Sequence, residues 1–97
     1  MSYFQFAKKI LDNTGESMIL INNQRVIQYA NRPFLKMIGL TGSQVIGNSL
    51  EDFCSREQEN LFFIKILDDL KTMASWQGNI IFTTPKKQTK KCASIFL

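Results

Sequence analysis

The sequence contains no histidine. That removes the commonest metal ligand, the commonest general base and the usual axial ligand of haem. Cysteine is scarce as well. Cys54 and Cys92 stand far apart, with no Cys-x-x-Cys pair to suggest a disulfide framework or a metal site. They read as small reduced core or strand residues. The five glycines are scattered and form no phosphate- or dinucleotide-binding pattern. No apolar run approaches ~18 residues, so no segment is expected to insert into a membrane. The N-terminus, from Met1 to Phe6, lacks the charged-then-apolar order of a signal peptide, and a cytoplasmic location is expected. The adjacent acids Glu51-Asp52 and Asp68-Asp69 diverge by ~100° if helical, so neither pair makes an acid/base dyad. No known motif places a lysine or carboxylate beside a serine or cysteine nucleophile. The sequence predicts no enzyme.

With 97 residues, 44% of them apolar and 21% charged, the chain has the size and make-up of one small globular domain. A chain of this length buries roughly 60 to 70% of its unfolded surface, enough for one core without staples. The net formal charge is +4, and Lys86, Lys87, Lys90 and Lys91 alone supply that amount. Such a cluster reads as a solvated hairpin tip that discourages edge-to-edge pairing. No aromatic residue is interleaved with these lysines to stack on bases, so nucleic-acid binding is not expected.

The periodicity predicts a helix over Tyr3–Asp12. Tyr3, Phe6, Ala7, Ile10 and Leu11 form one stripe, and Phe4 widens it. So short a helix is unstable alone, so the stripe must dock on something. Met18–Ile21 and Val26–Ala30 read as strands, with Asn22, Asn23 and Gln24 as the turn between them. The first strand is apolar on both faces, which implies cover on both sides. Asn31 caps a helix that carries Pro33 in its first turn, turns Phe34, Met37 and Ile38 inward, and stops at Gly39. Thr41 and Gln44 are spaced as a capping box for a very short helix ending at Gly47. Ser49 caps one further turn, with Leu50 and Phe53 facing in. Ser55 and Gln58 form a second capping box and start the longest helix, whose tight stripe is Phe63, Ile66, Leu67, Leu70 and Met73. Trp76–Thr84 alternates as a strand, Pro85 ends it, and Cys92–Leu97 forms a last strand.

The hairpin followed by Tyr29-Ala30-Asn31, a Phe three residues later, then Gly39-Leu40-Thr41, Val45-Ile46-Gly47 and Trp76-Gln77-Gly78 resembles a PAS domain. The resemblance runs from about Ala7 to Leu97. It implies an α/β (α+β) fold: an antiparallel sheet with a helical lid on one face. Residues 1–15 would form a flanking helix and residues 16–97 the PAS-like domain. In PAS-like folds the leading helix packs on the outer sheet face or pairs with a second subunit, so Tyr3, Phe4, Phe6, Ile10 and Leu11 are candidate dimer contacts. A small apolar ligand would sit between sheet and lid, against Leu20, Phe34, Met37, Ile38, Phe53, Phe63, Leu67, Ile80 and Phe82.

Light-sensing PAS domains place Asn and the flavin-reactive Cys two and three residues after the glycine. Here those places hold Ser49 and Leu50, and Cys54 lies a turn further on. No flavin and no haem are expected. The implied function is a sensor and dimerisation module of a signal-transduction protein, as in two-component systems. It would relay ligand or partner binding to an output domain, with a homodimer as the expected assembly. The alternative is a ligand-free docking module with a filled core. PAS-like sheets have five strands, the fifth lying between the first and fourth. Only four are legible here, which predicts a C-terminally truncated domain. Either the first and fourth strands pair directly, or a second subunit covers the gap.

Overall fold

The computed structural model describes residues 3–55, 60–85 and 88–97. The elements are α1 (Tyr3–Asp12), β1 (Met18–Ile21), β2 (Ile27–Ala30), α2 (Arg32–Ile38), α3 (Gly42–Val45), a 3₁₀ turn at Leu50–Phe53, α4 (Asn60–Met73), β3 (Ser75–Thr83) and β4 (Gln88–Phe96). The Gln58 half of the second capping box and the side chain of Phe63 lie outside the described residues.

Local chemistry accounts for the first half. Asn22 closes the β1–β2 hairpin: its Oδ1 accepts from the Gln24 and Val26 N–H groups at 2.9 and 3.0 Å. The left-handed residue of this turn is Arg25, φ 66°, and not one of the asparagines. Asn22 is occupied as the turn's acceptor, so the conformational load falls three residues later. Asn31 caps α2, Pro33 sits in the first turn, and Gly39 ends the helix with φ 76°. Gln44 Oε1 accepts from the Thr41 N–H at 2.9 Å, the backward half of a capping box.

The sheet has the order β2-β1-β4-β3. β1 pairs with β2 antiparallel, with a register shift between Leu20 and Ile21. β3 and β4 form a long antiparallel hairpin from Ser75↔Phe96 to Thr83↔Gln88. β4 therefore begins four residues before the expected Cys92. β1 and β4 pair directly and run parallel, Met18 opposite Ser94 and Leu20 opposite Phe96. The sheet is thus not antiparallel throughout, and among the described residues no strand lies between β1 and β4. The buried donors of β1 need partners, and β4, running the same way, supplies them.

One face of this sheet carries the core. Ile19 and Ile21 of β1, Ile27 and Ala30 of β2, Ile80 and Phe82 of β3, and Ala93 and Ile95 of β4 are buried there. The lid is built by Phe34 and Ile38 of α2, Val45 of α3, Leu50 and Phe53 of the 3₁₀ turn, and Ile66 and Leu70 of α4.

Candidate functional site

The space between sheet and lid is where a ligand was expected, and five of the named residues meet there. Phe34, Ile38, Ile80 and Phe82 are each 0% exposed, and Phe53 is buried beside them. The Phe34 and Phe82 rings pack edge to face, with centroids 5.5 Å apart and planes at 76°. Met37 is half-buried against the same cluster.

Two of the expected residues lie elsewhere. Leu20 points to the opposite sheet face, because strand alternation sends Ile19 and Ile21 inward and Met18 and Leu20 outward. An all-apolar strand gives no pattern from which to choose the face. Leu67 is half-buried at the end of the sheet, in a cleft of about 90 Å³ with Ile21, Asn22, Asn23, Leu70, Lys71 and Leu97. Ile66 and Leu70 take the inward positions of α4 instead. A cleft that small is well below the roughly 300–1,000 Å³ of small-molecule sites.

A larger cleft was not foreseen. It has a volume of about 520 Å³ and runs between α4 and the edge strand β3. Lys65, Asp69 and Met73 form one wall; Ser75, Trp76, Gln77, Ser94 and Phe96 form the other. The helix wall is a row at spacing four, which stacks on one helix face. The Lys65–Asp69 ion pair, 3.8 Å long, lies at its exposed side. Trp76 lies against Gly78: a Cβ there would be 2.6 Å from the Trp76 Cζ2. The row at 65, 69 and 73 was the available signal, but its partners on β3 and β4 are set by tertiary packing.

The flanking helix is tied down by polar contacts. Asp12, the last residue of α1, accepts the Tyr29 hydroxyl at 2.7 Å and the Arg32 N–H at 3.1 Å. One carboxylate so joins α1 to β2 and to the first turn of α2, where the helix dipole favours an anion. Lys8 Nζ lies 5.6 Å from the Tyr29 ring centroid. Burial, and then the Asp12 carboxylate, push the Tyr29 hydroxyl well above the ordinary tyrosine range. Next to this junction Asn31, 0% exposed, is a hub. Its Oδ1 accepts from the Phe34 and Met18 N–H groups at 3.1 and 2.9 Å, and its Nδ2 donates to the Glu16 carbonyl at 2.6 Å. The cap of α2, the start of β1 and the α1–β1 connector are therefore held by one side chain. Of the expected dimer contacts, Ile10 is 51% exposed. The side chains of Tyr3, Phe4, Phe6 and Leu11 lie outside the described residues.

The family profile described as PAS domain matches residues 15–93. The chain belongs to the PAS domain family. A PAS domain is a sensory or regulatory module. Solved PAS structures share the fold at low identity. The PAS domain of a protein from Colwellia psychrerythraea superposes with a TM-score of 0.73 at 13% identity, over 94% of this chain and 76% of that one. The PAS domain of nitrogen regulation protein NR(II) from Vibrio parahaemolyticus gives 0.69 at 16%, over 95% and 81%. The Rhodobacter sphaeroides LOV protein gives 0.71 at 23%, over 95% of this chain and 55% of that one. No curated protein matches the sequence. In this PAS domain Leu50 is buried, and Cys54, also buried, turns its thiol to the Leu50 carbonyl at 3.4 Å. Among the described residues no three metal-ligating side chains cluster, and no helix is long and apolar enough to cross a membrane.

Proposed function

We propose that this PAS domain is a sensor and relay module of a cytoplasmic signalling protein, of the kind used in two-component systems. It passes ligand or partner binding to an output domain through its flanking helix. The observation that carries the reading is the Asp12 junction, which ties α1 at once to β2 and to α2. A shift of the lid changes the position of Arg32, and the same carboxylate passes that shift to α1. A relay needs an element whose balance between two packings binding can shift, and in this reading the junction of lid and flanking helix is that element. The module has no catalytic role, carries neither haem nor flavin and binds no nucleic acid. It is colourless above ~350 nm, because the chain has no histidine for a haem iron and Leu50 stands where a flavin-reactive thiol would be. It works as a homodimer in which α1, with Ile10 exposed, meets its copy.

The relay is tested by attaching an output with a measurable activity and comparing wild type with Asp12→Ala. Signal-dependent output that survives in Asp12→Ala would reject the role of the junction. A second reading, a docking module with a filled core, is favoured by the closure of Phe34 on Phe82 with both rings fully buried. Native mass spectrometry and a panel of apolar probes separate the two. A copurified or bound small molecule favours sensing, and none across the panel favours docking.

A further inference from the structure

The outer edge of β3 is used over only part of its length. β3 stands last in the sheet order, on the side away from β1, so a strand inserted between β1 and β4 would leave it outermost. Toward its C-terminal end the Ile81 carbonyl accepts from the Ser55 N–H at 2.7 Å, and Cys54 bridges to Phe82, antiparallel. That bond fixes the direction of the other backbone groups. The β3–β4 register runs without a shift from Ser75 to Thr83. Alternation therefore turns the N–H and C=O groups of Asn79, Gln77 and Ser75 the same way as those of Ile81, away from β4. Gln77 and Asn79 are exposed, and no described residue bonds to their backbone on this side. This edge opens on the cleft of about 520 Å³. Ala74, φ 60°, turns the chain from α4 into β3, so the row Met73, Asp69, Lys65 runs back beside Ser75, Gln77 and Asn79. The two rows keep step, because four helical residues rise about 6 Å and two strand residues about 6.8 Å. A groove between a strand edge and a helix is the shape that takes an added strand.

We propose that the Ser75–Asn79 edge of β3, with the α4 row beside it, binds an extended segment of a partner protein that carries a basic and an apolar residue two positions apart. The segment adds antiparallel to β3, in line with Cys54 and Ser55, and its backbone pairs with Ser75, Gln77 and Asn79. Ile80 and Phe82 face the lid, so the added residues opposite Gly78 and Trp76 turn to the same side, toward α4. The basic residue comes first, opposite Gly78. The Trp76 ring lies over Gly78 and Asp69 stands at mid-wall, so a cation there meets an indole and a carboxylate. The present partner of Asp69 is loosely placed. Lys65 Nζ lies 3.8 Å away on a side chain 76% exposed, against 34% for Asp69, so it can turn to water when another cation arrives. The apolar residue, opposite Trp76, covers Met73, which is 69% exposed. A second copy fits this edge poorly. Paired about Gln77 it sets Asp69 against Asp69, and paired about Gly78 it sets Ser75 where Ser55 already bonds to Ile81. This surface is separate from α1 and from the Asp12 junction, so it stands or falls independently of the relay.

The test uses the 97-residue chain and three labelled peptides read by fluorescence anisotropy. One is Thr-Lys-Thr-Leu-Thr, one has Glu in place of Lys, and one is the basic peptide N-methylated at its threonines. The basic peptide should bind and slow exchange of the Gln77 and Asn79 amides. The N-methylated version should fail, since the threonine N–H groups are those that face β3. Asp69→Asn should weaken the basic peptide about threefold or more. Five outcomes would each overturn the proposal: no binding of the basic peptide, equal binding of basic and acidic peptides, equal binding of the N-methylated version, unchanged affinity in Asp69→Asn, or unchanged Gln77 and Asn79 exchange at saturation. Gln77 and Asn79 amides already protected without peptide would give the edge to the chain itself or to a second copy and overturn it too.

Discussion

Replacing Asn31 by alanine should be among the most damaging single changes in the domain. The side chain is fully buried and makes bonds to the Phe34 N–H, the Met18 N–H and the Glu16 carbonyl. Loss of the α2 cap alone costs about 1 kcal/mol. That cap is the bond from the Phe34 N–H; the half-buried Met18 donor also loses its partner, at about 1–3 kcal/mol where no water reaches it. The Glu16 carbonyl belongs to an exposed residue and can turn to water. The total comes to about 2–4 kcal/mol, against a typical 5–15 kcal/mol for a whole domain. Asn31→Ser should recover the cap but not the longer reach to Met18, so it should fall between wild type and alanine. Urea unfolding at constant m-value measures all three. Amide exchange at Met18 should quicken in both variants, and at Phe34 mainly in the alanine one. A loss under ~1 kcal/mol for Asn31→Ala, or unchanged Met18 exchange, would refute the hub.

Gly78→Ala places a Cβ 2.6 Å from the Trp76 ring, so the ring must move, at about 1–3 kcal/mol; the chain has one tryptophan, and an unshifted emission spectrum would contradict this. Ile19→Ala, at a residue 1% exposed, should cost about 2–5 kcal/mol, and Leu20→Ala clearly less; equal losses in urea melts would show that the faces are misassigned. Tyr29 has a folded-state pKa raised above its unfolded value, so the unfolded chain ionises first. Its contribution is therefore complete below pH ~10 and is lost as pH rises beyond that. Stability should fall more steeply there for wild type than for Tyr29→Phe, and parallel curves would dismiss the coupling.

The parts of this fold that were legible in the sequence are those fixed within a few residues. Asn31, Gly39 and the Thr41–Gln44 pair mark helix ends by chemistry that is complete locally. α1 was readable from its stripe alone. What was hidden depends on partners distant in sequence. Met18–Ile21 is apolar throughout, so only its pairing with Ile95 and Ala30 decides that Ile19 faces the lid and Leu20 does not. The early start of β4 was masked because Gln88 to Lys91 are polar or charged and read as turn; nine-residue pairing with β3 overrides that preference. The parallel closure of β1 on β4 was open as one of two repairs, since local sequence carries no signal for it. The cleft beside Trp76 has the same origin: its helix wall follows a visible period, but its strand wall is tertiary.

The relay rests on α1 being held by Asp12. Hydrogen exchange of the α1 amides in wild type, Asp12→Ala and the control Lys9→Ala tests this directly. A helix of ten residues is not stable undocked. The account predicts that α1 amides exchange about tenfold faster or more in Asp12→Ala, with Lys9→Ala and the β3–β4 hairpin unchanged. α1 amides as protected in Asp12→Ala as in wild type would contradict it.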